Sequence, residues 1–357
     1  MADTTVDTNQ GGSGTMAPPP RKEPPPARQA GPLAGLLPRA LRQPELSIVV
    51  VAIVIAVVFQ VINHAFLTGE VPVLLALTAQ YGLIAIGEVM LMITGEIDLS
   101  AAKIYSTVPF IAYYLTQAGL PFWLAILLAL AGGALIGLVN GLITVRLGVS
   151  SLIATLGMLF FLDGVVLTVS HSQPVTTPVS EPINTFLGEG QSNLAIGGAA
   201  TYAGFIWLLI GVVALTLVLR RTRFGLHTIS VGSNLLGARE IGIHTDRTKI
   251  INFMIIGVTA GLAGIIEGVS SGSIDPSAGD PILSLYAIAA AVIGGTSLFG
   301  GSGTVIGALI GAFVISSLNN GLPLIGAQAT ISFVIVGLAI VGAMVLNIRL
   351  GTLRGRR

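Results

Sequence analysis

Glu88, Glu96, Asp98, Lys103, Asp163 and Glu267 are charged residues set inside or against long apolar runs. Ionisable groups beside hydrocarbon are costly and are functional candidates by default. Glu96 and Asp98 of "GEIDLS" have the spacing of a carboxylate pair. Three chemistries are open to them: acid–base catalysis, a proton site, or the hinge of a structural break. Catalysis has little support. A hydrolase needs a nucleophile, a base and an oriented partner, and His64, His171, His227 and His244 are scattered through loops and span ends. The chain has no cysteine, which excludes disulfides, thiolate metal sites and thiol nucleophiles. "GGTSLFGGSG", Gly294 to Gly303, is glycine-rich, but no Gly-Lys dipeptide occurs anywhere, so there is no phosphate-binding P-loop. No catalytic residue, metal site or resident cofactor is expected. Were ATP to drive this protein, another polypeptide would bind it.

The elements around these residues belong to a membrane protein. Of 357 residues, 53% are hydrophobic and 9% charged, with mean hydropathy +0.89; soluble domains carry about 25% charged residues. Apolar runs predict spans near 46–67, 72–94, 99–118, 121–145, 151–170, 202–219, 250–270, 284–297, 304–321 and 327–347. The fold class is therefore all-α, with about ten transmembrane helices. The run at 284–297 is short and that at 99–118 starts polar, as partial or broken helices would. Residues 1–45 read as a disordered, Pro-rich tail, residues 46–348 as the transmembrane domain and 349–357 as a basic C-terminus. Ten spans place both termini on one side, with Arg146, Arg220, Arg221, Arg223, Arg239, Arg247 and Lys249, whereas the loops 63–72, 171–201, 271–283 and 322–326 contain no Lys or Arg. By the positive-inside rule that side is cytoplasmic. Lys103, the outlier, is expected to snorkel back to the same side. A net charge of +1 gives no pull toward nucleic acid.

The sequence also repeats. "GEIDLS" at 95–100 and "GSIDPS" at 272–277 both read Gly-x-Ile-Asp-x-Ser, and "GALIG" occurs at 133–137 and 307–311, at nearly the same offset of about 175 residues. The first "x-Ile-Asp" stretch falls at a cytoplasmic span end and the second at an outer one. The expected arrangement is two inverted five-helix halves, about 46–170 and 202–347, around a central path. Gly95, Asp98, Ser100, Gly272, Asp275 and Ser277 are the helix-break or gating candidates. Asp98 and Ser100 are expected to cap the helix after the break, at its positive end, with Asp275 and Ser277 doing the same in the second half. Glu96 is outside the shared pattern and has no assigned role. Candidate pathway residues are Glu88, Asp163, Glu267, Asn319 and Asn320. Glu88 or Glu267 would be the proton site of an autonomous secondary transporter. A hydrogen-bonded structural role at the helix break is the competing reading, and Asp163 is open between a wet path and a neighbouring helix. The glycine stripes read as close helix packing.

The loop from Arg220 to Lys249 is the best docking candidate. Ser233 or Asn234 can cap a short helix beginning "NLLGARE", which presents Leu235, Leu236 and Ile241 beside Arg239 and Glu240. Such a helix either lies in the lipid interface or enters a cleft on a soluble partner.

"GEIDLS", "SSLIATLG", "GSNLLGAREIGI" and "AGLAGIIEG…AIAAAVIGGTSLFGGSGTVIGALIGA…LNNGLPLIG" resemble the inner-membrane permeases of bacterial sugar ABC importers, of the ribose and xylose type, over about residues 45–347. The resemblance implies a homodimer or heterodimer of ten-helix subunits in the lipid bilayer of the cell membrane. It implies a cytoplasmic ABC ATPase carrying the ATP and Mg²⁺, and an extracytoplasmic sugar-binding protein. Ser233, Asn234, Leu235, Leu236, Gly237, Ala238, Arg239, Glu240 and Gly242 match the segment that docks on the ATPase. The outer acidic residues Glu181, Glu189, Asp275 and Asp280 would face the binding protein. Asp163 departs from the family pattern, where a basic residue is common. The implied cargo is a monosaccharide or polyol.

Overall fold

A computed structural model describes residues 1–2, 44–178, 186–187, 195–196, 199–200 and 203–355. The expected tail lies almost wholly outside these residues, as do Glu181 and Glu189. Twelve helices occur among the described residues: α1 (Pro44–Ile62), α2 (Val71–Ile93), α3 (Ala101–Gln117), α4 (Phe122–Arg146), α5 (Ser151–Val169), α6 (Ala203–Arg221), α7 (Arg223–Ser233), α8 (Leu235–Glu240), α9 (Thr245–Ser271), α10 (Pro281–Ile293), α11 (Val305–Leu324) and α12 (Ala329–Gly355). Four two-residue strands accompany them. β1 (Val175–Thr176) pairs antiparallel with β4 (Ser273–Ile274), Val175 opposite Ile274, and β2 (Ala195–Ile196) pairs with β3 (Ala199–Ala200).

Six of the helices, α2, α4, α5, α6, α9 and α11, are long and apolar enough to cross a membrane, and shorter apolar stretches lie in α1, α10 and α12. The chain is a multi-pass membrane protein. α2 forms the centre: every residue from Tyr81 to Thr94 is buried, with α9, α11, α10 and α6 packed around it. The outer faces of α4, α5 and α6 keep large apolar side chains exposed, Trp123, Phe160, Phe161 and Val213 among them, as a lipid-facing surface requires.

Small residues set how closely the helices approach, because lipid supplies no hydrophobic drive between them. A methyl group on Gly133 or Gly137 of α4 would strike the carbonyl oxygen of Gly257 or Phe253 in α9. On α11, Gly307 and Gly311 lie as close to the carbonyls of Gly294 and Ala290, at the end of α10 and within it. Both "GALIG" stretches are thus packing faces.

The two short helices start late for a physical reason. After α2 the chain turns at Gly95, φ +85°, and runs without helix to Ala101; after α9 it turns at Gly272, φ +70°, before α10. The resulting α3 has 17 residues and α10 only 13. Their first turns meet. The Ala102 N–H donates to Ser284 Oγ (2.8 Å), and that hydroxyl donates to the Leu99 carbonyl (3.0 Å). One N–H that a helix start leaves without an internal partner is satisfied from the other short helix.

Lys103 corrects its expected placement. It does not snorkel out: it is buried, and its Nζ lies 2.6 Å from Asp163 Oδ1 on α5. Asp163 therefore faces a neighbouring helix. A buried ammonium needs a counter-charge more than it needs water at a distance, and an aspartate in α5 supplies one.

Candidate functional site

The break between α2 and α3 is built from side chains of three helices. Asp98 is fully buried. Its Oδ1 accepts the Ser100 N–H (2.7 Å) and the Ser100 hydroxyl (2.6 Å), and its Oδ2 accepts from Asn140 Nδ2 (3.1 Å) on α4. The same amide donates to Ser100 Oγ at 2.8 Å. Glu88, one helical stretch earlier in α2, accepts the backbone N–H of Asp98 at 3.1 Å. From α5, Ser151 Oγ and Thr155 Oγ1 accept the N–H groups of Ile97 and Leu99, at 3.4 and 3.1 Å. The N–H groups of the non-helical residues 97–99 are thus satisfied by side chains from α2 and α5 and that of Ser100 by Asp98, which α4 holds through Asn140; such satisfaction is the condition for irregular backbone inside a bilayer.

Asp98 closes the turn ahead of α3 and sits at that helix's positive end. The N-cap residue, Ser100, makes no side-chain cap bond of its own. In the second half the expected cap is corrected. Asp275 Oδ1 accepts the Ser277 N–H (2.8 Å), repeating the turn, but Asp280 caps α10 by accepting from Ile282 N–H (2.9 Å). The stretch from turn to helix is longer there, so turn and cap fall to different aspartates.

Glu96 now has a partner: Lys249 Nζ, in the first turns of α9, lies 2.5 Å from its Oε1, with both side chains mostly buried. This ion pair joins the break to the helix that follows α8. Two further contacts tie the same region together. The Gly301 N–H donates to the Ile93 carbonyl at 2.9 Å. Gly232 of α7 is so close to that carbonyl that a methyl group would overlap it. Gly300 and Gly301, with φ +84° and +80°, let the "GGTSLFGGSG" loop wrap beneath the end of α2 where other residues would be strained.

Beyond Ser233 comes α8. Asn234 caps it, its Oδ1 accepting the Gly237 N–H at 2.9 Å. Leu236 and Ile241 project outward, 70% and 76% exposed, while Ala238 faces inward. Arg239 bonds back to Thr245 and Asp246 at 3.0 and 3.4 Å.

The candidate pathway residues fall in different places. Glu88 joins Asp98, Asp163 joins Lys103, and Asn319 donates to the Tyr81 hydroxyl at 3.1 Å. Glu267 and Asp275 line one cavity with Gln80 and Tyr105. Asn140, Lys249, Gln80 and Ser284 were not foreseen as partners. An asparagine within the apolar run of α4 was a usable signal; no sequence pattern pairs Lys249 with Glu96 across some 150 residues.

A family described as "Branched-chain amino acid transport system / permease component" matches residues 72–344. The chain belongs to this permease family. The permease is 40% identical over 315 residues to the xylose/arabinose import permease protein XylH of Sulfolobus acidocaldarius, covering 86% of this chain and 85% of that one. It is 32% identical to the ribose import permease protein RbsC of Escherichia coli K12, over 85% and 93% of the two chains. It is 31% identical to the autoinducer 2 import system permease protein LsrC of Photorhabdus luminescens, over 86% and 90%. No solved structure gives a significant match. The permease is the membrane component of an ABC-type importer, not its ATPase. That membership decides against the autonomous proton-coupled carrier.

Proposed function

We propose that the permease forms the path for a neutral monosaccharide, of the pentose class carried by its xylose/arabinose- and ribose-importing relatives, and that α8 is where a cytoplasmic ABC ATPase docks. The observation that carries the docking assignment is the exposed pair Leu236 and Ile241, on and at the end of a separately capped helix that is flanked by α7, whose Gly232 lies against the Ile93 carbonyl, and by α9, whose Lys249 pairs with Glu96. A push on α8 would reach the break ahead of α3 through α7 and α9, the helices that α8 contacts. ATP binding would move the two ATPase domains, and the permease would rock between outward and inward openings.

Two inverted five-helix halves accord with the packing. α3 lies on α4 and α9, while α10 lies on α11 and α2; α5 lies beside α3 and α4, as α12 lies beside α10 and α11. These pairings correspond when α2 is matched to α9, α3 to α10, α4 to α11 and α5 to α12. In this reading the termini are cytoplasmic, a second permease copy completes the path, and an extracytoplasmic sugar-binding protein delivers the cargo. Residues 1–45 are a tail outside the transmembrane domain at 46–348.

The native chain has no cysteine, so Leu236→Cys introduces a single thiol. With the ATPase co-expressed, a short thiol-reactive photocrosslinker at this position should capture the ATPase, and Leu236→Asp should abolish sugar uptake in proteoliposomes that also contain the binding protein. Normal uptake by Leu236→Asp would remove the docking assignment. Gly237→Arg is a less clean probe, because even a Cβ there presses on the Asn234 cap.

A further inference from the structure

We propose that the permease carries its own recognition subsite for the cargo, in the cavity between α2, α3, α9 and the 273–279 segment, and that it takes an uncharged monosaccharide; this rests on the importer reading above. The cavity has a volume of about 360 Å³, within the range of small-molecule sites, roughly 300–1,000 Å³. It is the meeting place of side chains that suit hydroxyl groups. Gln80 offers an amide with both donor and acceptor atoms, Glu267 and Asp275 accept, and Ser106 and Tyr105 bring hydroxyls.

The chemistry is held in place rather than merely present. Gln80 Nε2 donates to the Tyr105 hydroxyl at 2.5 Å, which orients both. Asp275 is fixed by its turn to Ser277. Pro109 gives no N–H to the Tyr105 carbonyl four residues before it, and Gly264 of α9 packs against that oxygen so closely that a methyl group would overlap it. Gly279, φ +76°, is as close to the Ala102 carbonyl. Gly264 and Gly279 both line the cavity, so part of its wall is closely packed backbone.

Charge selects among sugars. Among the described residues, two carboxylates line the cavity and no Lys, Arg or His does. Repulsion and desolvation would work against sugar phosphates and sugar acids, whereas a neutral polyol loses nothing from the negative field and can donate to it. Rejection by an unmatched charge is an effective route to specificity. The membrane subunit would then add a second selection to that of the delivering protein.

The test uses the permease–ATPase assembly in nanodiscs, without binding protein, and saturation-transfer NMR with D-xylose. Transfer to xylose is expected, competed by D-ribose and not by D-xylose 5-phosphate. Asp275→Asn keeps the turn acceptor and removes the charge; Ser106→Ala removes one hydroxyl. Each should weaken the apparent affinity, Ser106→Ala by up to about tenfold, the worth of a neutral hydrogen bond, and Asp275→Asn by about tenfold or more. Absence of transfer in the wild type, equal competition by the phosphate, or unchanged affinity in both variants would overturn the proposal. Co-purification with the ATPase monitors folding, and if Asp275→Asn does not assemble, Ser106→Ala decides. Uptake by the complete wild-type importer without xylose transfer removes the subsite alone. Transfer without uptake removes the pentose-transport reading and leaves the subsite.

Discussion

At residues 95–100 and again at 272–277 the chain makes the same move: a glycine at positive φ, an isoleucine, then an aspartate that accepts the N–H of the serine two residues on. The surroundings differ. Asp98 is fully buried and cross-tied to Asn140, with Glu88 on its backbone and α5 hydroxyls on either side. Asp275 is exposed, borders a cavity, and leaves the capping of the next helix to Asp280. Local sequence therefore specifies a turn, and the packing around it decides whether that turn is a fixed anchor or the rim of an open site.

The sharpest break in this comparison should come from Asp98→Ala, which leaves the buried Ser100 N–H and hydroxyl without their acceptor and Asn140 with one acceptor fewer. A loss of about 3 kcal/mol is expected, read as a lowered thermal midpoint in detergent or a loss of folded yield. A variant with wild-type stability would show that the buried network is dispensable. Next, Lys249→Met removes the partner of a mostly buried carboxylate, Glu96, and should cost about 2 kcal/mol, between exposed and buried pairs. Sugar-stimulated ATP hydrolysis by the reconstituted importer should fall with it, since the pair links the break to α9; unaltered stimulation would take Glu96 out of the coupling path. Gly95→Ala and Gly272→Ala test what the two stretches share. Neither site has a close neighbour for a Cβ, so both should cost only the left-handed backbone penalty of about 1–2 kcal/mol. Unequal losses in paired melts would mean that the two turns are not alike in backbone. The smallest effect belongs to Asp275→Ala, whose stability should change by no more than about 0.5 kcal/mol. A large drop there would erase the contrast with Asp98.

Much of the scaffold was legible because apolar runs and glycine stripes report directly on helices that face lipid or each other. The expected spans at 72–94, 121–145 and 304–321 lie on α2, α4 and α11, and the short run at 284–297 is a short helix. The polar start of the 99–118 span marked the late start of α3. Less legible were interactions between distant charges. Lys103 looked like a residue reaching for water because its partner, Asp163, stands on another helix. Glu96 looked purposeless because Lys249 stands on α9, seven helices later in the chain. Asp275 looked like a cap because its motif matched that of Asp98; only the longer run to α10 hands that role to Asp280.

By itself the sequence determined that this is a helical membrane protein without a catalytic constellation, that two segments share one turn, and that an exposed capped helix follows the Arg220–Arg223 cluster. Those features depend on composition, period and near neighbours, which a linear chain displays. Tertiary structure decided which carboxylates are buried, which lysine meets Glu96 and which meets Asp163, and that Gln80, Tyr105, Glu267 and Asp275 meet around one cavity. The reason is electrostatic and steric. In a bilayer a charge must find its partner inside the protein, and the partner is chosen by how closely glycine-lined helices can pack.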